Sequence, residues 1–157
     1  MSPRPFSALE VAIANPIIRI MSRLNTWAYR ATGGRLGGTF LRGAPVMLLT
    51  VVGRKSGRRL TVPLLYLQDG ERVVTVASKG GMDHHPLWYL NLTANPAVEV
   101  QIGTEVHTMR AHTADDGERE RYWPRLVTMY PDYAGYQART TRRIPVVVLS
   151  PAAAPPP

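Results

Sequence analysis

The segment Gly53-Arg54-Lys55-Ser56-Gly57-Arg58-Arg59 gathers four cations and a hydroxyl between two apolar runs. Its glycines permit a tight backbone, and clustered cationic and N–H donors suit a phosphate or another anion. The pattern G-x-x-x-x-G-K-[ST] occurs nowhere in the chain, which excludes a Walker loop. A solvated basic hairpin tip is the other reading of the same residues. A second segment, Ala77-Ser78-Lys79-Gly80-Gly81, offers a hydroxyl, a cation and two glycines where an apolar run ends. That arrangement suits close backbone approach to a planar or anionic ligand, against the alternative of a plain Gly-Gly turn. Lys55 and Lys79 are the only lysines among nineteen basic residues, and each falls in one of these two segments. The placement hints at two positions that need a compact ammonium charge, with chance as the alternative. Tyr130, Tyr133 and Tyr136 stand three apart along one flank of a short helix beginning near Pro131. Such phenols either roof a pocket for a flat substrate or form an aromatic stripe of the core.

Other chemistry is poorly provided for. His84 and His85 are adjacent and point apart on an extended chain, and neither His107 nor His112 joins a ligand cluster, so no metal is expected. The acids are scattered without a catalytic pair, and no G-x-S-x-G elbow is present. Cysteine is absent, which excludes a disulfide scaffold, a cysteine zinc site, an iron–sulfur cluster and a thiol nucleophile.

These residues need elements to hold them. Ser7-Ala8-Leu9-Glu10 reads as a capping box, and Asn15-Pro16 as a second helix start. Ile17, Ile20, Met21, Leu24, Trp27 and Ala28 then fall at helical spacing, with Arg19, Arg23 and Arg30 elsewhere on the wheel, until Gly33-Gly34. Residues 46–52 and 60–67 are strand-like runs flanking the basic turn, and Gln68-Asp69-Gly70-Glu71 is a hairpin turn leading into 72–77. Residues 86–95 predict a helix, and 98–102 with 106–111 a hairpin across Gly103-Thr104-Glu105. Asp115-Asp116 caps a helix to about Met129, with a kink expected at Pro124, and 144–149 is the last strand. Six strands, mostly in hairpins, with helical additions predict a mainly β, α+β fold arranged as an antiparallel barrel. Residues 1–32 would be an amphipathic helical segment, 33–150 the barrel, and 151–157 a disordered tail.

With 157 residues and 45% apolar composition, the chain has the size of one domain. No apolar run is long enough to span a bilayer, and Asn15, Arg19 and Arg23 interrupt any signal core, so a cytoplasmic location is expected. A net charge of +8 favours anionic partners. Nucleic acid fits poorly, because the basic residues are dispersed and not interleaved with aromatics on one strand face or helix.

The ordered series of motifs is more specific. Gly53–Gly57 is followed by Pro63-Leu64-Leu65-Tyr66, Asp69-Gly70, Val76–Gly81, Pro86–Leu92 and Ala94-Asn95-Pro96. Tyr122-Trp123-Pro124, Met129-Tyr130-Pro131 with Tyr133 and Tyr136, and Arg143–Val147 complete it. From Met21 to the last strand the chain resembles the deazaflavin-dependent nitroreductase family of actinobacteria, enzymes that use coenzyme F420. The resemblance implies a split β-barrel of the kind that also binds FMN. It implies as well a cofactor that joins a flat 5-deazaflavin ring to a phosphate and an oligoglutamate tail. By matching positions, Arg54, Lys55, Ser56, Gly57, Arg58 and Arg59 would hold the phosphate and tail. Ser78, Lys79 and Gly80, with the backbone around Pro63, Leu65, Ala77 and Trp88, would hold the ring. Ser78, Tyr130, Tyr133 and Tyr136 would form the catalytic face toward a quinone or nitroaromatic acceptor. Members linked with nitroimidazole activation carry an aromatic where this chain has Leu65, which favours a quinone. A membrane-soluble acceptor would also give residues 16–30 a reason to lie on anionic membrane, at the inner face of the cell membrane; packing on the barrel is the alternative for that helix. A non-enzymatic F420 or lipid binder, or an FMN or haem protein of the same fold, is the rival reading.

Overall fold

The computed structural model describes residues 20, 22–40 and 43–152. The expected capping box at 7–10, the start at Asn15-Pro16 and most of the tail lie outside them. Helix α1 is helical at residue 20 and through 22–32. Seven strands follow: β1 (Val46–Val52), β2 (Arg59–Leu65), β3 (Leu67–Asp69), β4 (Arg72–Val76), β5 (Ala97–Ile102), β6 (Glu105–Thr113) and β7 (Val146–Pro151). Helix α2 (Leu87–Ala94) precedes β5, and α3 (Asp116–Met129) and α4 (Asp132–Arg139) separate β6 from β7. Every ladder is antiparallel, in the order β2-β1-β5-β6-β7-β4-β3.

Apolar alternation gives the sheet two dry faces. Met47, Leu49 and Val51 of β1, Val73 of β4, Val98 and Val100 of β5, Met109 and Ala111 of β6 and Val147 and Leu149 of β7 share one core, which Trp88 and Leu92 of α2 complete. On the other face Val74, Val76, Val146 and Val148 meet Tyr122, Leu126, Tyr130 and Tyr133 of the α3–α4 region. Strands buried on both faces read as continuous apolar runs, as VMLLTVV does in β1.

The two edge strands, β2 and β3, are one stretch of chain broken only at Tyr66. The expected single strand over 60–67 is therefore two, one on β1 and the other on β4, and six expected strands are seven. Tyr66 N–H donates to the Pro45 carbonyl (3.1 Å) as the last bond in the β1–β2 register, and Thr75 Oγ1 of β4 donates to the Leu65 carbonyl (2.7 Å). The sheet thus curls until its edges are joined through the chain, but no ladder links β2 to β4, and the expected barrel is not closed. Pro63 sits in β2 because an edge strand tolerates a missing N–H. Pro124 does not interrupt α3, whose buried Tyr122 and Leu126 hold it on both sides of the proline. The last strand begins at Val146, two residues later than expected, while Ile144 N–H turns to the Gln137 side chain (2.9 Å).

Helix α1 docks through a residue outside its expected apolar stripe. Tyr29 is buried against Val46 and Leu48, and its hydroxyl accepts from Gly103 N–H (2.8 Å). Of that stripe, Ile20, Leu24 and Trp27 face outward, 60%, 62% and 72% exposed. Among the described residues no helix is long and apolar enough to cross a membrane.

Candidate cofactor site

Strands β1 and β4 run in the same direction, because an even number of antiparallel steps separates them in the sheet. The turns that follow them, 53–58 and 77–82, therefore emerge at one end of it. Helix α2 leaves the second turn and touches the first, so residues far apart in sequence share one rim.

The first turn is built before any ligand arrives. Gly53 N–H donates to the Arg58 carbonyl (2.8 Å), Gly57 N–H to the Gly53 carbonyl (2.9 Å), and Arg58 N–H to Ser56 Oγ (3.2 Å). Gly57 has φ +68°, and a β-carbon on Gly53 would stand 2.6 Å from Ser56 Oγ. The side chains of Arg54, Lys55, Arg58 and Arg59 are exposed around this tight backbone. Arg54 is fixed by Asn91, whose buried Oδ1 accepts from its backbone N–H and its Nη1, both at 3.1 Å. Arg59 pairs with Glu99 at 2.8 Å. Sequence reasoning missed Asn91; the available signal was one amide inside the otherwise apolar Leu87–Leu92 stretch.

The second turn is left-handed through three residues, Lys79 (φ +45°), Gly80 (+63°) and Gly81 (+80°). Ala77 is wholly buried, Ser78 is half-buried, and Lys79 Nζ lies 2.7 Å from His84 Nε2. Arg142, which the sequence did not single out, spans this turn. Its Nε donates to the Met82 carbonyl (2.7 Å), Nη2 to Ser78 (2.7 Å) and Nη1 to Ala77 (3.2 Å). Nη1 also lies 3.2 Å from His85 Nδ1. The guanidinium can only donate, so His85 accepts there through Nδ1 and keeps its proton on Nε2. Desolvation and then the Arg142 charge hold the His85 pKa below 6.5. Burial likewise pulls the Arg142 pKa down, with Asp83 acting in the opposite sense. The Ala77, Ser78, Lys79 and Met82 carbonyls are all committed, so the turn offers a ligand mainly donors.

Helix α4 meets this turn at Tyr136 and carries Tyr133 as well, with Tyr130 just before it. Tyr130 and Tyr133 are buried and Tyr136 half-buried, with ring centroids 5.0 to 6.3 Å apart. The Tyr130 and Tyr136 hydroxyls lie 3.2 Å from each other. Burial, first of all, raises the phenols of Tyr130 and Tyr133 well above the ordinary value of 10, so both stay neutral near pH 7. Leu65 packs on the same side as this cluster and Tyr66 on the opposite core, as the strand alternation requires. Pro63 and Leu65 are half-buried on β2, and the side chains of Trp88 and Ala77 are buried in the sheet core. No group of metal-binding side chains occurs among the described residues. An open cleft of about 590 Å³ lies between α1 and β2, lined by Arg23, Trp27, Arg30, Arg59 and Thr61 among others. It adjoins the first turn through Arg59, not the tyrosines.

A curled antiparallel sheet that carries two cationic glycine turns at one end has the donors to hold a flat, anionic organic cofactor. The chain belongs to the F420H(2)-dependent quinone reductase family, whose pattern matches residues 21–151. An F420H(2)-dependent quinone reductase of Mycobacterium tuberculosis is 39% identical over 131 residues, 82% of this chain and 88% of that protein. Another protein of that organism carrying the family's name is 44% identical over 117 residues, 74% of this chain and 98% of the relative. The solved structure of an F420-H2 dependent reductase is 43% identical, with a TM-score of 0.64 over 68% of this chain and 94% of its own.

Proposed function

We propose that residues 53–59 and 77–82 hold reduced F420 and that the Tyr130–Tyr136 cluster borders the acceptor. The oxidoreductase activity and the reduced cofactor follow from the family; the residue roles and the acceptor are the proposal. The observation that carries it is the convergence of two separate cationic turns and α4 on one rim of the sheet. The donor set fits such a cofactor: among the described residues no acid pairs with Lys55 or Arg58, and nothing lies within 4 Å of where a side chain would begin at Gly57 or Gly80. On this reading the curled sheet is a split β-barrel of the FMN-binding type, opened where β2 and β4 fail to ladder.

The cofactor, when bound, supplies a hydride. The protein supplies placement and electrostatics. Arg54, held by Asn91, and Lys55, Arg58 and Arg59 take the phosphate and tail; the fixed backbone lowers the entropy of ordering the site. Ser78, Lys79 and Gly80 present donors to the polar edge of the ring. The Tyr136 hydroxyl, paired with that of Tyr130, stands beside the acceptor, where it donates a hydrogen bond to charge developing on a quinone oxygen. Leu65 leaves an aliphatic wall on that side, which suits a quinone better than a nitroimidazole.

The exposed Ile20, Leu24 and Trp27, beside Arg23 and Arg30, support peripheral contact of the front helix with anionic membrane, where an apolar quinone resides. Mixing protein with reduced F420 and menaquinone and following F420 re-oxidation tests the activity. Turnover that saturates in both components is expected, whereas saturable F420 binding without turnover would leave a binder. Sedimentation with anionic and neutral vesicles tests the helix, and Trp27→Ala should lower recovery with anionic vesicles.

A further inference from the structure

Arg142 has no place in the chemistry above, yet its guanidinium spans the 77–82 turn from Ala77 to Met82. Its three nitrogens reach the carbonyls of Ala77, Ser78 and Met82 and the ring of His85. The left-handed residues 79–81 turn the chain between Ser78 and Met82, so that the Met82 carbonyl and those of Ala77 and Ser78 all face one guanidinium. For Lys79, which carries a β-carbon, that conformation is intrinsically unfavourable, and something outside the turn must hold it. Gly81 is braced from α4, and the guanidinium braces the rest. A planar fork of donors can span three acceptors, whereas an ammonium is a point and cannot. Arg142 is itself located by chain geometry, four residues before β7, whose lead-in takes Ala77 N–H on the Pro145 carbonyl (2.9 Å).

We propose that Arg142 is a positioning residue for the cofactor: it holds the 77–82 turn in the left-handed form that presents Ser78 and Lys79 to reduced F420. The proposal rests on the reading that this turn is part of the cofactor site. It predicts that a loosened turn and weakened cofactor binding appear together, and that a guanidinium from solution repairs both.

The test measures backbone amide exchange without cofactor, and F420 affinity by fluorescence, in the wild type and in the Arg142→Ala, Arg142→Lys and Lys79→Ala variants. In Arg142→Ala, exchange should quicken across 77–82 while β1 and β7 keep their protection. F420 should then bind about tenfold or more weakly, the loss of one or more charged hydrogen bonds acting through the turn. Guanidinium at millimolar concentration, far below denaturing levels, should restore part of the protection and affinity in Arg142→Ala and nothing in Lys79→Ala. Arg142→Lys should fall between, and it carries the same comparison if the alanine variant does not fold. Unchanged exchange in 77–82 would overturn the clamp. Exchange that quickens throughout the sheet, with no response to guanidinium, would reduce Arg142 to a general stability role and overturn it too. A turn that loosens while F420 affinity stays at the wild-type value, with Lys79→Ala also at that value, would overturn the proposal by removing the turn from the cofactor site.

Discussion

Gly81 lies so close to the backbone of Tyr136 that a β-carbon on it would stand 2.5 Å from the Tyr136 carbonyl oxygen. The contact ties the turn carrying Ser78 and Lys79 to the helix carrying two of the three tyrosines. Gly80, its neighbour, has nothing within 4 Å of the same position. Gly81→Ala must move α4 or the turn, and Gly80→Ala bears only its unfavourable φ. The expected cost is about 1–2 kcal/mol for Gly80→Ala and clearly more for Gly81→Ala, read from denaturant melts. F420 affinity should fall further in the Gly81 variant.

Lys55 and Asn91 should separate charge from scaffold. Lys55→Ala removes an exposed ammonium and leaves the turn's backbone bonds intact, so stability should hold. A charged hydrogen bond contributes on the order of 1.5–3 kcal/mol, so F420 should bind roughly ten- to a hundredfold more weakly, and the wild type itself should weaken as salt rises. Asn91→Ala takes a buried acceptor from Arg54 and should lose affinity together with about 1–3 kcal/mol of stability. Fluorescence titration and urea melts on both variants check this pattern.

The tyrosines should divide by burial. Tyr136→Phe breaks the hydroxyl pair with Tyr130, and turnover with menaquinone should drop about tenfold if that phenol supports charge on the acceptor, with F420 affinity nearly unchanged. Tyr133→Phe should leave stability in place, with turnover showing whether its hydroxyl also serves the acceptor. Tyr133→Ala opens a cavity in the α3–α4 core and should cost about 3–5 kcal/mol. Steady-state rates and melts on all three variants separate an acceptor wall from a core stripe.

His85 should make stability depend on pH. Its ring faces Arg142 Nη1 and the Tyr89 ring (centroids 4.9 Å apart), with Lys79, Asp83 and His84 on the same loop. Because desolvation and Arg142 hold its folded pKa below 6.5, the unfolded chain binds more protons than the folded one below that pH. Its contribution is complete above pH 6.5 and is lost as pH falls from there through the folded pKa. Protonation also turns Nδ1 from acceptor to donor, against a guanidinium that can only donate. His85→Asn should flatten the acid side of the melting-temperature profile, and an unchanged profile would assign that slope to other groups.

Local chemistry was readable along the chain. The β-branched runs, the Gly-containing turns, the Asp115 cap that accepts Glu118 N–H (2.8 Å), and the order of strands and helices all follow from period and propensity, which act over a few residues. The two cationic turns and the tyrosine spacing were visible for the same reason. Tertiary structure decided the rest. It decided that the chain leaves one sheet edge for the other at Tyr66, that α1 docks by Tyr29 while Ile20, Leu24 and Trp27 stay outside, and that Pro124 rides inside an unbroken helix. It also chose Asn91 and Arg142. An amide becomes a brace only where a turn from another strand presents its N–H, and a guanidinium becomes a clamp only where three carbonyls converge. Both conditions depend on contacts across 37 to 65 residues, which no local pattern records.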